Sequence, residues 1–190
     1  MNIKNEFVLV GSIISKRMGN NVLRLRITTY HNNQINRPSV VIFDNIENYN
    51  EALQIGDRVM VRGYLQTNRV HRNGGLVAKS VKILKSKVDA LFAGEEYYED
   101  TNQILLSGVI NRSVSNYPKV SVIHFESESE DNRKIYPSVS CFGKAKDKVA
   151  NLMIGDTIKV LGYMQTSIRT GDDGSTNFFE NVVAINVQTW

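Results

Sequence analysis

The stretch IGDRVMVRGYLQT, residues 55–67, returns ninety-nine positions later as IGDTIKVLGYMQT, residues 154–166, with eight of the thirteen positions identical. In the first copy Val59, Val61, Gly63 and Leu65 alternate with Arg58, Met60, Arg62, Tyr64 and Gln66. In the second, Ile158, Val160, Gly162 and Met164 alternate with Thr157, Lys159, Leu161, Tyr163 and Gln165. A period of two predicts a strand with one buried face. Gly63 and Gly162 fall mid-strand on the inward side, where glycine marks a bend or a close backbone approach. Strands that turn the corner of a barrel need such positions.

Working outward, PSVVIF (38–43) aligns with PSVSCF (137–142) at the same offset, and NEFVLVG (5–11) aligns with NQILLSG (102–108) at an offset of 97. The repeat unit of about 85 residues is too long for a solenoid and of domain size. This predicts an N-terminal domain over 1–85, an acidic linker over 86–101 and a C-terminal domain over 102–190. In the first copy, strands are expected at Phe7 to Ile14, Val22 to Tyr30, Val40 to Phe43 and Leu76 to Leu84, besides the opening stretch. The helical pattern is short in each copy: Ile46 to Leu53, and Lys144 to Leu152 with Ala145, Val149 and Leu152 on one face. Each copy is thus three strands, a helix and two strands. The expected fold class is all-β: two tandem five-stranded OB-fold barrels, each with a short helix between strands 3 and 4. SH3-like barrels lack a helix at that position. The linker is expected to hold one helical turn around Ala90 to Ala93.

The formal net charge of +4 is unevenly spread. Residues 1–85 carry 13 Lys+Arg against 5 Asp+Glu; residues 86–101 carry one Lys against five acids; residues 102–190 balance at nine of each. A first half this basic points to a polyanionic partner. The single cysteine, Cys141, excludes an internal disulfide and a cysteine zinc cluster, and implies the cytoplasm. No apolar run is long enough to span a membrane, and the start MNIKNEFVLV lacks a signal-peptide layout. Three scattered histidines, no phosphate loop and no nucleophile elbow argue against an enzyme. No catalytic residue, metal site or cofactor is expected.

NEFVLVG and NQILLSG, CFGKAKDKVANLMIGD, and the strands GDRVMVRGYLQT and GDTIKVLGYMQT resemble, in order and spacing, the bacterial and phage single-stranded DNA-binding proteins, in their tandem form. The resemblance covers most of both copies. It implies sequence-independent binding and protection of single-stranded DNA in replication or recombination, with a phage or mobile element as the expected source. The partners implied are single-stranded DNA, a second copy in a homodimer, and replication or recombination proteins. The sequence departs from the family where it stops at NVQTW instead of an acidic recruiting tail, so the tail's role is not carried over. It also lacks the family's base-stacking tryptophans, Trp190 being its only one.

Binding a single strand without sequence preference calls for cations along the phosphates and aromatic faces for the bases. In PSVSCF, Val139 and Cys141 alternate inward, leaving Ser138, Ser140 and Phe142 outward; in the first copy Val40 and Ile42 are the inward pair and Phe43 points out. Phe43 and Phe142 are therefore stacking candidates, the alternative being that each plugs a barrel end. Tyr136 and its counterpart Arg37 are further candidates. In NVLRLRITTY, Leu23, Leu25 and Ile27 alternate with Arg24, Arg26 and Thr28, and Tyr30 continues the polar side, so Arg24, Arg26 and Tyr30 form a candidate groove wall. In KVSVIHF the register leaves open whether His124 or Phe125 faces out. Arg69, His71 and Arg72 make the hairpin after the fourth strand a cationic arm; its counterpart offers Arg169 beside Asp172 and Asp173. Binding is expected to concentrate in the first copy. First strands such as FVLVGSII are expected to be exposed and to supply part of the homodimer interface. The competing reading is an adaptor of a replication or conjugation complex that docks proteins through its barrels.

Overall fold

The computed structural model describes residues 4–31, 33–67, 75–129, 132–171 and 174–189. They form two compact units: an N-terminal unit of 7–64 and 75–102, and a C-terminal unit of 4–6, 65–67 and the described part of 103–190. No helix among the described residues is long and apolar enough to cross a membrane.

The N-terminal elements are β1 (Asn5–Gly19), β2 (Val22–His31), β3 (Gln34–Asn36), β4 (Ser39–Ile42), α1 (Ile46–Ala52), β5 (Arg58–Gln66) and β6 (Gly75–Ile83), followed by α2 (Lys87–Ala93). β1 pairs antiparallel with both β2 and β5, β5 neighbours β6, β6 runs parallel to β4, and β4 pairs with β2. Those five strands return on themselves and close a ring. The C-terminal elements are β7 (Thr101–Ile110), β8 (Ser115–Asn116), β9 (Ser121–Glu128), β10 (Lys134–Ile135), β11 (Ser138–Cys141), α3 (Gly143–Val149), β12 (Thr157–Thr170) and β13 (Thr176–Thr189). Here β7, β12, β13, β11 and β9 close in the same pattern, with β11 parallel to β13. β3, β8 and β10 are additional short strands paired to β2 or β9.

The inward residues read from the alternation are the core: Leu23, Leu25, Ile27, Val40, Ile42, Val59 and Val61 in the N-terminal unit, Leu65, Val139, Cys141, Ile158, Val160 and Met164 in the C-terminal unit, all at most 2% exposed. Burial pushes the Cys141 thiol up to about 12. Gly63 and Gly162 face the neighbouring strand at contact range: a Cβ would fall 1.9 Å from the Val77 carbonyl oxygen and 2.4 Å from that of Val183. The strands can close only where no side chain stands between them. Beyond the Phe7–Gly63 pair, the buried Asn5 amide donates to the Leu65 carbonyl and its oxygen accepts from the Leu65 N–H, both at 2.9 Å. A side chain here takes the place of two ladder bonds. α3 buries Ala145 and Val149, as the helical pattern requires.

Three expectations are corrected. The first strand is not an exposed edge: Phe7, Leu9, Val10 and Ile13 are at most 2% exposed, because β1 is flanked by β2 and β5. Met60, read as outward, is also buried and pairs with Val10. The linker holds a full helix, α2, instead of a single turn; Ser86 caps it by accepting from the Asp89 N–H, and Gly94 ends it at φ 66.

Candidate nucleic-acid interface

On β2 the alternation leaves Arg24 exposed, Arg26 and Thr28 half-buried, and Tyr30 54% exposed. Strand pairing then supplies the neighbours. Arg24 lies between Arg17 on β1 and Val41 on β4, and Arg26 lies between Ser15 and Ser39. Directly opposite residues on antiparallel strands share a face, so Arg17, Arg24 and Arg26 form one cationic cluster. Phe43, 50% exposed, stands two positions after Val41 and continues that face beside Arg24. Arg26 donates through Nη1 to the Arg37 carbonyl at 3.1 Å, holding half-buried Arg37 near the same face. Tyr30 ends the row, about 20 Å along the strand from Arg24, its N–H donating to Asp100 Oδ2 at 3.1 Å.

Arg17 opposite Arg24 is a like-charge pair, an arrangement that destabilises a sheet. Among the described residues neither has an acidic partner, and besides each other the residue that faces the pair across the ladder is Val41. An anion beside the pair would relieve this repulsion. Arg17 is absent from the sequence-read candidates, and its place emerges only from the pairing.

The repeat does not reproduce this face. The bonds Ile27 N–H to Pro38 O and Phe125 N–H to Pro137 O, at 3.1 and 3.4 Å, align the two copies and equate Arg26 with His124. The open register of β9 is thereby resolved: Ile123 and Phe125 are fully buried, and His124 is half-buried on the other face, opposite Ser138. The positions of Arg24, Arg26, Thr28 and Tyr30 are taken by Val122, His124, Glu126 and Glu128. Glu126 pairs with Lys134 at 2.7 Å, and their hydrogen bond raises the lysine pKa. Phe142 is 46% exposed just before α3, and Tyr136 is 41% exposed two residues before β11, its N–H donating to Thr67 Oγ1 at 2.8 Å. They stand at opposite ends of β11, on a face without the arginine cluster.

Arg169 belongs to a two-stranded ribbon, in which 167–170 pair with 176–179. Its guanidinium lies 4.9 Å from the centre of the Phe179 ring. Phe178 and Phe179, 36% and 43% exposed, are additional aromatic surface that the sequence reading passed over. Consecutive aromatics in a strand point to opposite sides, so at least one had to face out. Arg69, His71 and Arg72 lie outside the described residues.

Arg58, one of the two arginines that distinguish the first copy's stretch from the second, does not belong to the cluster. It is bound by the linker: 2.6 Å from Asp100 Oδ1, 2.8 Å from the Tyr98 carbonyl that accepts from it, and 5.1 Å from the Tyr97 ring centre. Arg62, farther along β5, sits close enough to Tyr98 to lower its pKa against a larger upward push from the Glu96 hydrogen bond. The acidic segment is therefore anchored on its own unit.

No family model and no curated protein matches the sequence. In structure, the chain is similar to the wild-type single-stranded DNA binding protein from Thermus aquaticus, with a TM-score of 0.68 at 16% identity over 100% of this chain and 94% of that one. A deletion variant of the same protein matches equally, over 98% of this chain and 94% of that one. A mitochondrial single-stranded DNA binding protein from S. cerevisiae matches over 47% of this chain and 95% of its own, with a TM-score of 0.37 at 13% identity. The fold is that of the Thermus aquaticus protein.

Proposed function

We propose that the chain binds single-stranded DNA without sequence preference, as two tandem OB-fold barrels over 1–85 and 102–190, joined by 86–101, in DNA replication or recombination. The observation that carries this reading is the outward face of β1, β2 and β4, where Arg17, Arg24 and Arg26 cluster beside exposed Phe43 with no acid among the paired positions. Cations for phosphates and an aromatic face for a base are what sequence-tolerant binding uses. The fold shared with the Thermus aquaticus protein supports the same reading.

The N-terminal unit supplies most of the binding. In the C-terminal unit Glu126 and Glu128 stand where the first copy has Thr28 and Tyr30, so contact there falls to Phe142, Tyr136 and the Arg169–Phe179 ribbon. That same acidic row is the footing for the adaptor reading, confined to the C-terminal unit.

The test is fluorescence anisotropy of the full chain with labelled oligo(dT) and with mixed-sequence oligonucleotides across a salt series. Comparable affinities for both, falling steeply with salt, are expected. Absence of binding at about 20 mM salt would refute the reading. Phe43→Ala is expected to lower affinity about five- to hundredfold, from the worth of one stacked base, and Phe142→Ala by less.

A further inference from the structure

Residues 102–190 are neutral as a whole, yet their positive charge is gathered in one place. Segments 111–125 and 142–150 carry Arg112, Lys119, Lys144, Lys146 and Lys148, with Asp147 as their one acid. The fold brings these two segments together. Tyr117 N–H donates to the Val120 carbonyl at 2.9 Å, closing a turn at Pro118 and Lys119. Lys146 Nζ donates to the Pro118 carbonyl at 3.0 Å and ties that turn to α3. β8, β9 and β11 set Ser115, Val122 and Ser140 in one row, and Asn116, Ser121 and Cys141 in the next. Ser121 and Cys141 are buried, so the row after them, Tyr117, Val120 and Phe142, returns to the outer face. Tyr117 is 56% exposed and Phe142 46%. Two strand spacings, about 10 Å, separate their positions. That is too wide to clamp one base between the rings and suits two bases of one strand, each stacked on its own ring. Exposed Lys119 lies two residues after Tyr117, and exposed Lys144 two residues after Phe142.

We propose that the C-terminal unit holds single-stranded DNA on this patch, with bases on Tyr117 and Phe142 and phosphates on Lys119 and Lys144, while Lys146 positions the turn. The repeat shows that the cations have moved. With Arg26 aligned to His124, the arginine pair Arg17 and Arg24 falls on the pair Ser115 and Val122. Tyr117 stands where the first copy has Gly19, and Pro118 and Lys119 stand where it has Asn20 and Asn21. Beyond the two phenylalanines, Lys144 and Lys146 replace Asn45 and Glu47. One copy is therefore basic along its strands and acidic at its helix, and the other has exchanged the two. Lysines alone would serve an acidic peptide equally well; the two exposed rings in one row select bases. The inference rests on the DNA-binding reading and adds a second, relocated site to it.

The test uses the full chain with its first face disabled by Arg17→Ser, Arg24→Ser and Phe43→Ala, titrated with labelled oligo(dT) at about 20 mM salt and above. Residual binding that falls with salt is expected. Adding Tyr117→Ala should weaken it a further five- to hundredfold or so, the worth of one stacked base. Adding Lys119→Ser with Lys144→Ser instead should flatten its salt slope by about 1.4. All three side chains are exposed, so circular dichroism should not change. In the wild type, an oligonucleotide carrying 5-iododeoxyuridine should crosslink on irradiation to the tryptic peptide 113–119. A disabled chain that binds nothing, or no crosslink to that peptide, would overturn the second site and leave the N-terminal face, read from wild-type binding, standing. Residual binding that responds to the lysines but not to Tyr117→Ala would overturn the base contacts in favour of a site for any polyanion, an acidic peptide included. A wild type that binds no oligo(dT) would overturn both readings.

Discussion

Replacing Arg17 and Arg24 together by serine separates a cationic site from a merely polar surface. Each arginine that meets a phosphate on a single strand contributes about 0.7 to the fall of log K with log salt. Losing both therefore flattens the slope by about 1.4. If the electrostatic contribution vanishes near 1 M salt, the double variant binds about 60-fold more weakly at 50 mM and about tenfold more weakly at 200 mM. The gap between the two proteins narrows about sevenfold over that range. The same change affects folding in the opposite sense. The two arginines are exposed and directly opposed across β1 and β2, and relief of a like-charge cross-strand pair stabilises by a few tenths of a kcal/mol. Anisotropy titrations with oligo(dT) at several salt concentrations give the slope, and urea denaturation gives the stability. A variant that binds less tightly while unfolding no more easily is the expected result. An unchanged salt slope would refute the placement of phosphates on this face.

Three further outcomes follow from the packing. Gly63→Ala forces a Cβ to within 1.9 Å of the Val77 carbonyl oxygen and 2.8 Å of the Phe7 ring, and because the backbone must give way it should cost about 3 kcal/mol, the upper part of the usual overpacking range, seen as a lower urea midpoint. Asp100→Asn removes the charge 2.6 Å from Arg58, at a site where both side chains are under a fifth exposed. It should cost about 1–2 kcal/mol and speed limited proteolysis of 86–100, while leaving oligo(dT) affinity unchanged. For Cys141, burial lifts the folded thiol to about 12 from an ordinary value near 9. The folded state thus keeps a proton that the unfolded state gives up, so this contribution to stability is whole below pH 9 and lost as pH rises toward 12. The native thiol should resist a disulfide reagent near pH 8 and react on unfolding; rapid reaction of the folded protein would contradict the burial.

Where side chains alternate cleanly the sequence was readable. On β11, and on β2 from Leu23 to Thr28, one parity is apolar and the other polar, so burial alone selects the register. Elsewhere that rule loses its grip. On β1 the inward residues Phe7, Leu9 and Ile13 set a parity that, continued, points Arg17 into the core. A bulge between Ile13 and Ser15 leaves Ile14 as the extra residue, 40% exposed, and moves Ser15 and Arg17 onto the face of Arg24. A bulge leaves no mark in composition, so the most informative arginine of the cluster was invisible. On β9 both parities are apolar in VSVIHF, and only pairing with Val139 selects Ile123 as the inward residue. The helix α2 was hidden for another reason: a seven-residue helix in an acidic segment reads as a turn.

The duplicated stretch shows why the two copies keep one frame and present different surfaces. Its inward positions are confined by contacts with no slack. Gly63 and Gly162 must remain glycine, and Val59, Val61, Ile158 and Val160 are fully buried, so substitutions there cost several kcal/mol. Outward substitutions typically cost within about half a kcal/mol, which leaves those positions free to follow what each unit touches. Arg58 and Arg62 stand where the acidic segment 86–100 docks on them, and the second copy has Thr157 and Leu161 in their places. Arg24 and Arg26 persist where Arg17 and Phe43 complete a cationic, aromatic face, and their places hold Val122 and His124 where Glu126 and Glu128 stand in the same row. Transplanting both pairs, as Val122→Arg with His124→Arg and Glu126→Thr with Glu128→Tyr, should therefore raise oligo(dT) affinity and steepen its salt slope without loss of stability, because only outward positions change. If the frame then fails to fold, or folds and binds no more tightly, surface divergence on a shared core is not what separates the two units.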